Sequence, residues 1–279
     1  MPAKKNNAQK AVLTIAGSDP SGGAGIQADL KTFNAIGVYG GAVISCLTVQ
    51  NTRGVFVVQP VEASLVKKQI DYVLDDLNIS HIKIGMLGST AVAESICKAL
   101  DGYNGEIIYD PVLVSSSGRE LLDPEGYVII RELLLPICTV LTPNIPELTA
   151  LTDSDCLTKD ALLQKAAELF YLSSRLRAVI ITGGHFEPHQ DTVTDFILKE
   201  PGGEHLENSY EEISHRRIKS RNTHGTGCTF SAAFTAYHLL TGDDSKAFRR
   251  SVHYMDKLIR DSASIKIGHG TGPLMHHLK

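Results

Sequence analysis

The sequence predicts one α/β domain built around a mainly parallel β-sheet. Short apolar runs of strand length alternate with segments whose apolar residues recur every three or four positions, the pattern of strands joined by crossover helices. Residues 192–199 and 213–219 are separated instead by a glycine-containing loop, which predicts an antiparallel hairpin at one sheet edge. No linker or internal repeat is present, so residues 11–279 are expected to form a single domain after a flexible start over residues 1–10.

Six further apolar runs are expected to be buried strands, because each has strand length and several end at a glycine or proline. They cover residues 11–16, 42–49, 82–87, 106–110, 139–142 and 178–182. Helices are expected where apolar residues share one helical face, as Ile26, Leu30, Phe33 and Ile36 do before a stop at Gly37. The same spacing predicts helices near residues 66–77, 92–100, 226–240 and 245–259.

Composition and charge exclude several classes of protein. The 27 basic and 31 acidic residues give a net charge of −4 without a long basic run, so no nucleic-acid partner is expected. No stretch approaches about 18 continuous apolar residues and the start lacks the apolar core of a signal peptide, so we expect a cytoplasmic protein without membrane contact. The five cysteines contain no C-x-x-C pair, which indicates neither a disulfide framework nor a zinc site.

The first of three glycine-rich segments lies between the first strand and the first helix and reads Gly17-Ser-Asp-Pro-Ser-Gly-Gly-Ala-Gly25. It lacks the G-x-G-x-x-G spacing of dinucleotide sites and the lysine of a P-loop, which argues against a nucleotide-cofactor oxidoreductase. We expect a turn that brings Asp29 close to the carboxyl end of the sheet, where ligands of such folds bind. A tight turn without a ligand is the alternative.

The second segment is a glycine-rich turn that runs directly into a helix. Gly225, Thr226, Gly227 and Cys228 therefore stand at a helix N-terminus, where free backbone N–H groups and the helix dipole form an anion site suited to a transferring phosphoryl group. The same field is expected to favour the thiolate of Cys228. A buried, inert cysteine is the alternative.

The third segment ends a strand and reads Ile181-Thr-Gly-Gly-His185, where two glycines allow a ligand to approach the backbone closely. His185 is either part of this site or an ordinary surface residue.

Two carboxylates follow neighbouring strands of the expected sheet. Asp110 precedes Pro111, and Glu147 lies in Thr142-Pro-Asn-Ile-Pro-Glu147. Oxygen ligands so placed are typical of Mg²⁺ sites in phosphoryl transfer. Helix capping by Asn144 and Glu147 is the alternative.

Taken with their order along the chain, these segments resemble the hydroxymethylpyrimidine/phosphomethylpyrimidine kinase family of thiamine biosynthesis, within the ribokinase-like superfamily. The resemblance runs from about residue 12 to residue 277. It is carried by five motifs, at residues 14–33, 49–54, 83–87, 222–229 and 268–273. It implies a three-layer sandwich with helices on both faces of a central sheet, ATP as co-substrate, Mg²⁺, and homodimers. The implied reaction phosphorylates 4-amino-5-hydroxymethyl-2-methylpyrimidine and then its monophosphate.

Carried over by motif, the resemblance implies a pyrimidine pocket of Asp29, Gln50, Met86 and Val112. Asp29 and Gln50 would hydrogen-bond the ring nitrogens and amino group, and the two apolar side chains would pack on the ring.

The resemblance likewise assigns the phosphate machinery. Gly225, Thr226 and Gly227 would form the anion hole, and Cys228 stands where the superfamily usually has an aspartate. The remaining implied residues are Asn144, Thr182, Gly184 and His224 for the nucleotide and phosphates, and Asp110 and Glu147 for the metal.

Two positions depart from the family pattern, since Thr182 and Ser116 stand where members often have lysine. Each change removes a charge that reaches phosphate, although the serine-rich residues 115–118 are still expected to act as a lid. A pyridoxal kinase of the same fold remains an alternative, as does a non-catalytic pyrimidine-binding protein, which the intact turn at Gly225–Cys228 argues against.

Overall fold

The computed structural model describes residues 10–113, 124–154, 158–185, 190–200 and 209–278. Its strands form one nine-stranded sheet in the order β3-β2-β1-β4-β5-β6-β7-β8-β9. The strands are β1 (Ala11–Ser18), β2 (Gly40–Asn51), β3 (Gly54–Pro60), β4 (Ile79–Ile84), β5 (Glu106–Tyr109), β6 (Val140–Leu141), β7 (Ala178–Ile181), β8 (Thr192–Lys199) and β9 (Tyr210–Arg216). Six adjacent strands run parallel to one another, namely β2, β1, β4, β5, β6 and β7, while β3, β8 and β9 pair antiparallel at the edges.

Eight α-helices are seen in the described residues. They are α1 (Gly25–Ile36), α2 (Ala63–Asp76), α3 (Thr90–Ala99), α4 (Pro124–Ile129), α5 (Ile145–Thr152), α6 (Lys159–Glu168), α7 (Thr226–Thr241) and α8 (Asp244–Ser262). Short 3₁₀ turns follow at residues 135–137, 169–172 and 183–185, and a π-helical turn covers residues 130–134.

Successive residues of the central strands face different cores, which makes the fold a three-layer sandwich. In β5, Ile107 packs into a core shared with α2, α3, α5 and α6, whereas the next residue, Ile108, packs with α7 and α8. Val12 of β1 likewise packs with α1 and α7, while Leu13 joins the first core. Because both faces are covered, the central strands are mostly apolar, as is typical of a buried parallel sheet. The expected three-layer α/β sandwich with a mainly parallel central sheet is confirmed.

The edge strands differ most from the sequence prediction. The strand β3 was not predicted, and β9 begins at Tyr210 rather than at residue 213. An edge strand exposes one face, so polar residues such as Glu211 and Glu212 interrupt its apolar pattern. The strand β4 lies three residues earlier than expected, since it begins at Ile79 and ends at Ile84, before Gly85.

The carboxyl ends of the parallel strands meet at one edge, and this edge carries most of the candidate residues. Asp110 follows β5, and its backbone N–H donates to the carbonyl of Ile84 at the end of β4 (2.8 Å). Gln50 lies near the end of β2 and Thr182 directly follows β7. The topology therefore gathers residues distant in sequence, as ligand sites of open α/β sheets do.

Candidate active site

The first and second glycine-rich segments pack directly against each other. A Cβ on Gly225 would lie 1.8 Å from the carbonyl oxygen of Gly23, and a Cβ on Gly23 would lie 2.4 Å from Cδ2 of His224. Gly225 has φ 79°, in the left-handed region, and forms the N-cap of α7. Only glycine satisfies both the contact and the backbone conformation. The turn predicted at the N-terminus of a helix is therefore present, and it opens toward Asp110, since a Cβ on Gly227 would lie 4.0 Å from Oδ1 of Asp110.

A fully buried lysine lies between two of the predicted carboxylates. Lys83 Nζ is 3.2 Å from both carboxylate oxygens of Asp29 and 3.4 Å from Oδ2 of Asp110. Thr14 Oγ1 donates to Asp29 Oδ2 at 2.6 Å. Burial raises the pKa of Asp29, and Lys83 and the hydrogen bond from Thr14 lower it, leaving it above its ordinary value. The charge of Lys83 is thus the main compensation for two carboxylates removed from water.

Cys228 joins this cluster. Its thiol donates a hydrogen bond to the Asp110 carboxylate, and the backbone N–H of Gly25 donates to its sulfur. Burial raises the pKa of the thiol to about 12; Asp110 and Asp29 raise it too, against the opposing effect of Lys83. The expectation of a favoured thiolate is therefore wrong, because desolvation and two carboxylates outweigh the helix dipole and the lysine.

Asp110 and Glu147 form a second pair of close carboxylates. Burial raises the pKa of Glu147 to about 8, with the charge of Asp110 adding to the effect. Burial also raises the pKa of Asp110, whose Oδ2 has no well-aligned hydrogen-bond donor among the described residues. Glu147 also caps α5, because its Oε2 accepts from the backbone of Asn144 (2.8 Å) while Asn144 Oδ1 accepts from Glu147 N (2.9 Å). The alternative of helix capping is thus realised, without removing Glu147 from the site.

The residues assigned to the pyrimidine come from α1 and from the carboxyl ends of β2, β4 and β5. Asp29 is on α1, and Gln50 on β2 lies with its Nε2 3.1 Å from Nε2 of His224. Met86 follows β4, and its sulfur adjoins Gly17, where a Cβ would lie 3.2 Å from it. Val112 is half-buried two residues beyond Asp110.

Three of the residues assigned to the nucleotide and phosphates lie around the carboxyl ends of β6 and β7, whereas His224 immediately precedes the Gly225 turn. Asn144 and Thr182 pair as an isolated β-bridge. Gly183 N donates to Oδ1 of Asp195 at 2.8 Å, which ties the turn to β8. Gly184 is exposed and a Cβ there would meet open space. Ser116 and the expected lid at residues 115–118 lie outside the described residues, as does the side chain of His185.

Sequence reasoning missed three residues that shape this site. Lys83 and Asp19 belong to two of the family motifs, but the sequence pattern assigned no role to either residue, and it assigned none to Asp195. Lys83 carried a usable signal, since it stands in the apolar strand run His81-Ile-Lys-Ile84, where an unpaired charge would be costly.

The fold and this site define a small-molecule phosphotransferase of the ribokinase-like fold, with a glycine-rich helix N-terminus beside buried acidic groups at the carboxyl edge of the sheet. The chain belongs to the phosphomethylpyrimidine kinase family, whose sequence profile matches residues 19–275. It is 38% identical over 266 residues to the hydroxymethylpyrimidine/phosphomethylpyrimidine kinase of Escherichia coli (strain K12), covering 95% of this chain and 96% of that protein.

Two solved structures support the same assignment of fold. The phosphomethylpyrimidine kinase from Clostridium difficile 630 is 36% identical, with a TM-score of 0.75 over 89% of this chain and 98% of that chain. The pyridoxal kinase from Staphylococcus aureus in complex with ADP is 28% identical, with a TM-score of 0.83 over 96% of this chain and 94% of that chain. Among the helices of the described ranges, none combines the length and apolar character needed to span a bilayer.

Proposed function

We propose that this protein transfers the γ-phosphoryl group of ATP to 4-amino-5-hydroxymethyl-2-methylpyrimidine and then to the resulting monophosphate. Curated relatives over nearly the whole chain are named for these two kinase activities. The observation that carries the proposal is the meeting of the α7 turn with Cys228, Asp110, Lys83 and Asp29. This meeting supports the proposal, because backbone N–H groups suited to phosphate lie beside the group expected to take the alcohol proton and the carboxylate expected to bind the ring.

The two acceptors make different demands on the site. An alcohol must lose its proton as it attacks phosphorus, whereas a phosphate monoester is already anionic. Because the thiol of Cys228 is protonated at rest, it can accept the alcohol proton only as its own proton passes to the Asp110 carboxylate that accepts its hydrogen bond. We assign Cys228 to the first step on this basis, and the backbone of Gly225–Cys228 to the charge that develops in both steps.

Asp110 and Glu147 are the residues that we expect to hold Mg²⁺. They fit the ion because both are oxygen donors, their pKa values are raised, and Oδ2 of Asp110 lacks an aligned donor among the described residues. No group of three or more His, Cys, Asp or Glu side chains placed for a metal occurs in the described part of the chain. The remaining ligands would be phosphate oxygens and water, as is usual for Mg²⁺. When bound, the ion would neutralise phosphate charge.

The pyrimidine ring is expected to bind between Asp29 and Gln50, with Met86 and Val112 against its faces. The nucleotide phosphates are expected near Asn144, Thr182 and Gly184, although neither Thr182 nor Ser116 supplies the lysine found in many members.

The test is ATP turnover, followed as ADP release, with the pyrimidine alcohol, its monophosphate and pyridoxal as separate acceptors. Turnover with the first two and much weaker turnover with pyridoxal is the expected result. Turnover with pyridoxal alone would instead assign the activity carried by structural neighbours such as the Staphylococcus aureus enzyme. Turnover with none of the three would overturn the proposal.

We also propose that the protein is a cytoplasmic homodimer. The outer hairpin of β2 and β3 exposes the apolar side chains of Leu47, Val49, Phe56 and Val57. Val49 and Val57 are directly opposite each other in the hairpin, and Leu47 lies two residues before Val49, so these three side chains share one face that a second copy could cover. Sedimentation equilibrium of the full chain tests this; a monomer at micromolar concentration would contradict it.

A further inference from the structure

The carboxylate of Asp19 makes five hydrogen bonds. Its Oδ2 accepts from the backbone N–H groups of Gly23 (3.0 Å) and Ala24 (2.9 Å) and lies 2.8 Å from Nε2 of His224. Its Oδ1 accepts from the backbone N–H (2.8 Å) and the hydroxyl (2.7 Å) of Ser21. Burial raises the pKa of Asp19, but the hydrogen bonds from His224 and Ser21 outweigh it and lower the pKa to about 2. Asp19 is therefore a permanent anion at the centre of the first glycine-rich segment.

His224 connects that anion to the phosphate turn. It immediately precedes Gly225, its ring packs against Gly23, and its backbone N–H donates to the carbonyl of Gly272 (3.1 Å). His224 is buried, with 9% of the residue's surface exposed. Its Nε2 is already in contact with Asp19 and Gln50, so this nitrogen is not free to bind phosphate as the sequence had suggested.

The contacts of His224 determine which of its partners it can satisfy. An imidazole nitrogen carries either a proton or a lone pair. An ionised carboxylate can only accept, so Nε2 of His224 carries the proton and donates it to Asp19. It cannot then accept from the amide nitrogen of Gln50 at 3.1 Å. The amide nitrogen of Gln50 therefore finds no acceptor in His224 and is left for a ligand, while its Oε1 lies 3.1 Å from the hydroxyl of Thr48.

We propose that Asp19 and His224 are positioning residues. They hold the α7 turn against the first glycine-rich segment and keep the amide nitrogen of Gln50 available to the substrate. The proposal rests on the function proposed above for its kinetic effect, but not for its geometry. Asp19 acts on the turn through His224 and the two backbone N–H groups. It acts on the acceptor substrate through the proton that it holds on His224.

The first experiment measures the tautomer in the full-length protein, without substrate. The ¹⁵N chemical shifts of the imidazole nitrogens are recorded in histidine-labelled protein, and His224→Gln identifies the signal of residue 224. Nε2 of His224 is expected to have the shift of a protonated nitrogen in the wild type and to move toward that of an unprotonated nitrogen in Asp19→Asn. An unprotonated Nε2 in the wild type at neutral pH overturns the proposal, whatever the activity or fold of the variants.

The second experiment is a double-mutant cycle with Asp19→Asn, His224→Gln and the double variant. Loss of a hydrogen bond to a charged group is expected to lower kcat/KM for the pyrimidine alcohol about 10- to 100-fold in each single variant, with a higher KM for the alcohol. The double variant is expected to be little worse than either single variant, because the two residues act as one unit. Independent, multiplicative losses, or kcat/KM within twofold of the wild type in a folded Asp19→Asn protein, would overturn it.

Asp243→Asn is the matched control. Asp243 also caps a backbone N–H, that of Lys246 at 2.8 Å, but at the start of α8 and outside the site. Wild-type kinetics are expected for it. Should the wild-type protein phosphorylate none of the acceptors while the tautomer result holds, the proposed function fails and the positioning role stands.

Discussion

Lys83→Met tests the claim that one buried cation stabilises the carboxylates of this site. The lysine is fully buried, with Nζ 3.2 Å from both oxygens of Asp29 and 3.4 Å from Oδ2 of Asp110. Methionine has a similar shape, so the substitution removes the charge with little change of volume. Removing one partner of a buried ion pair costs about 3–5 kcal/mol, because the remaining charge is left uncompensated. We therefore expect the free energy of unfolding to fall by about that amount at pH 8.

The destabilisation caused by Lys83→Met is expected to grow with pH. The pKa values of Asp29 and Asp110 are above their ordinary values because of burial, and Lys83 lowers both. Without the lysine they must rise further. A carboxyl whose pKa is raised on folding contributes stability at low pH that is lost as the pH rises through its folded-state pKa. The deficit of the variant should therefore be small near pH 4 and grow toward pH 8.

Urea unfolding of the wild type, Lys83→Met and Lys83→Met/Asp29→Asn across this pH range is the assay. The double variant restores the original net charge of the cluster and should recover much of the loss at pH 8. A loss below about 1 kcal/mol, which is the scale of an exposed ion pair, would refute the reasoning. So would a deficit that does not change with pH.

Three further predictions follow from individual groups. Cys228→Ala should slow phosphorylation of the alcohol by about 10²-fold or more and affect the monophosphate step less, as measured by ADP release; equal losses would contradict the assigned role. Burial raises the pKa of Glu147 to about 8, so Mg²⁺ must displace a proton from this carboxyl below that pH. Calorimetry should therefore show an affinity for Mg²⁺ that rises with pH up to about 8 in the wild type but not in Glu147→Gln. His81 is buried, with its Nε2 2.9 Å from Nδ1 of His238, and burial lowers its pKa to about 4. Because this pKa is below that of the unfolded chain, the contribution of His81 to stability is present above about pH 6.5 and lost as the pH falls toward 4. His81→Asn should flatten the acid limb of the stability curve, and an unchanged limb would exclude this histidine as its cause.

The sequence predicted what depends on local pattern. Buried parallel strands such as β1 and β7 are apolar on both faces, so their runs were visible, and helix stops such as Gly37 marked where α1 ends. The edge strand β3 was not visible, because half-exposed residues carry no comparable pattern. The turn at Gly225 was predicted correctly because glycine spacing before an apolar helix is also a local signal.

The charges around that turn could not be predicted, because they depend on which residues the sheet brings together. The thiol of Cys228 was expected to be acidic from its place at a helix N-terminus alone. Its actual neighbours, Asp29 and Asp110, come from α1 and from the end of β5, between 118 and 199 residues away in the chain. Only the strand order places them there, and their effect has the opposite sign from that of the helix dipole.

The same cluster gives a physical reason for a cysteine where the superfamily usually has an aspartate. With both carboxylates ionised, Asp29, Asp110 and Lys83 already leave one net negative charge in a buried site. A third carboxylate at position 228 would add to that charge next to an incoming phosphate, whereas a neutral thiol donates a hydrogen bond to Asp110 and adds none. As a consequence, Cys228 is protonated at neutral pH and is a weak base. Under the proposed assignments this weakness affects the alcohol step, since the monophosphate needs no deprotonation, and the Gly225 turn would serve both acceptors.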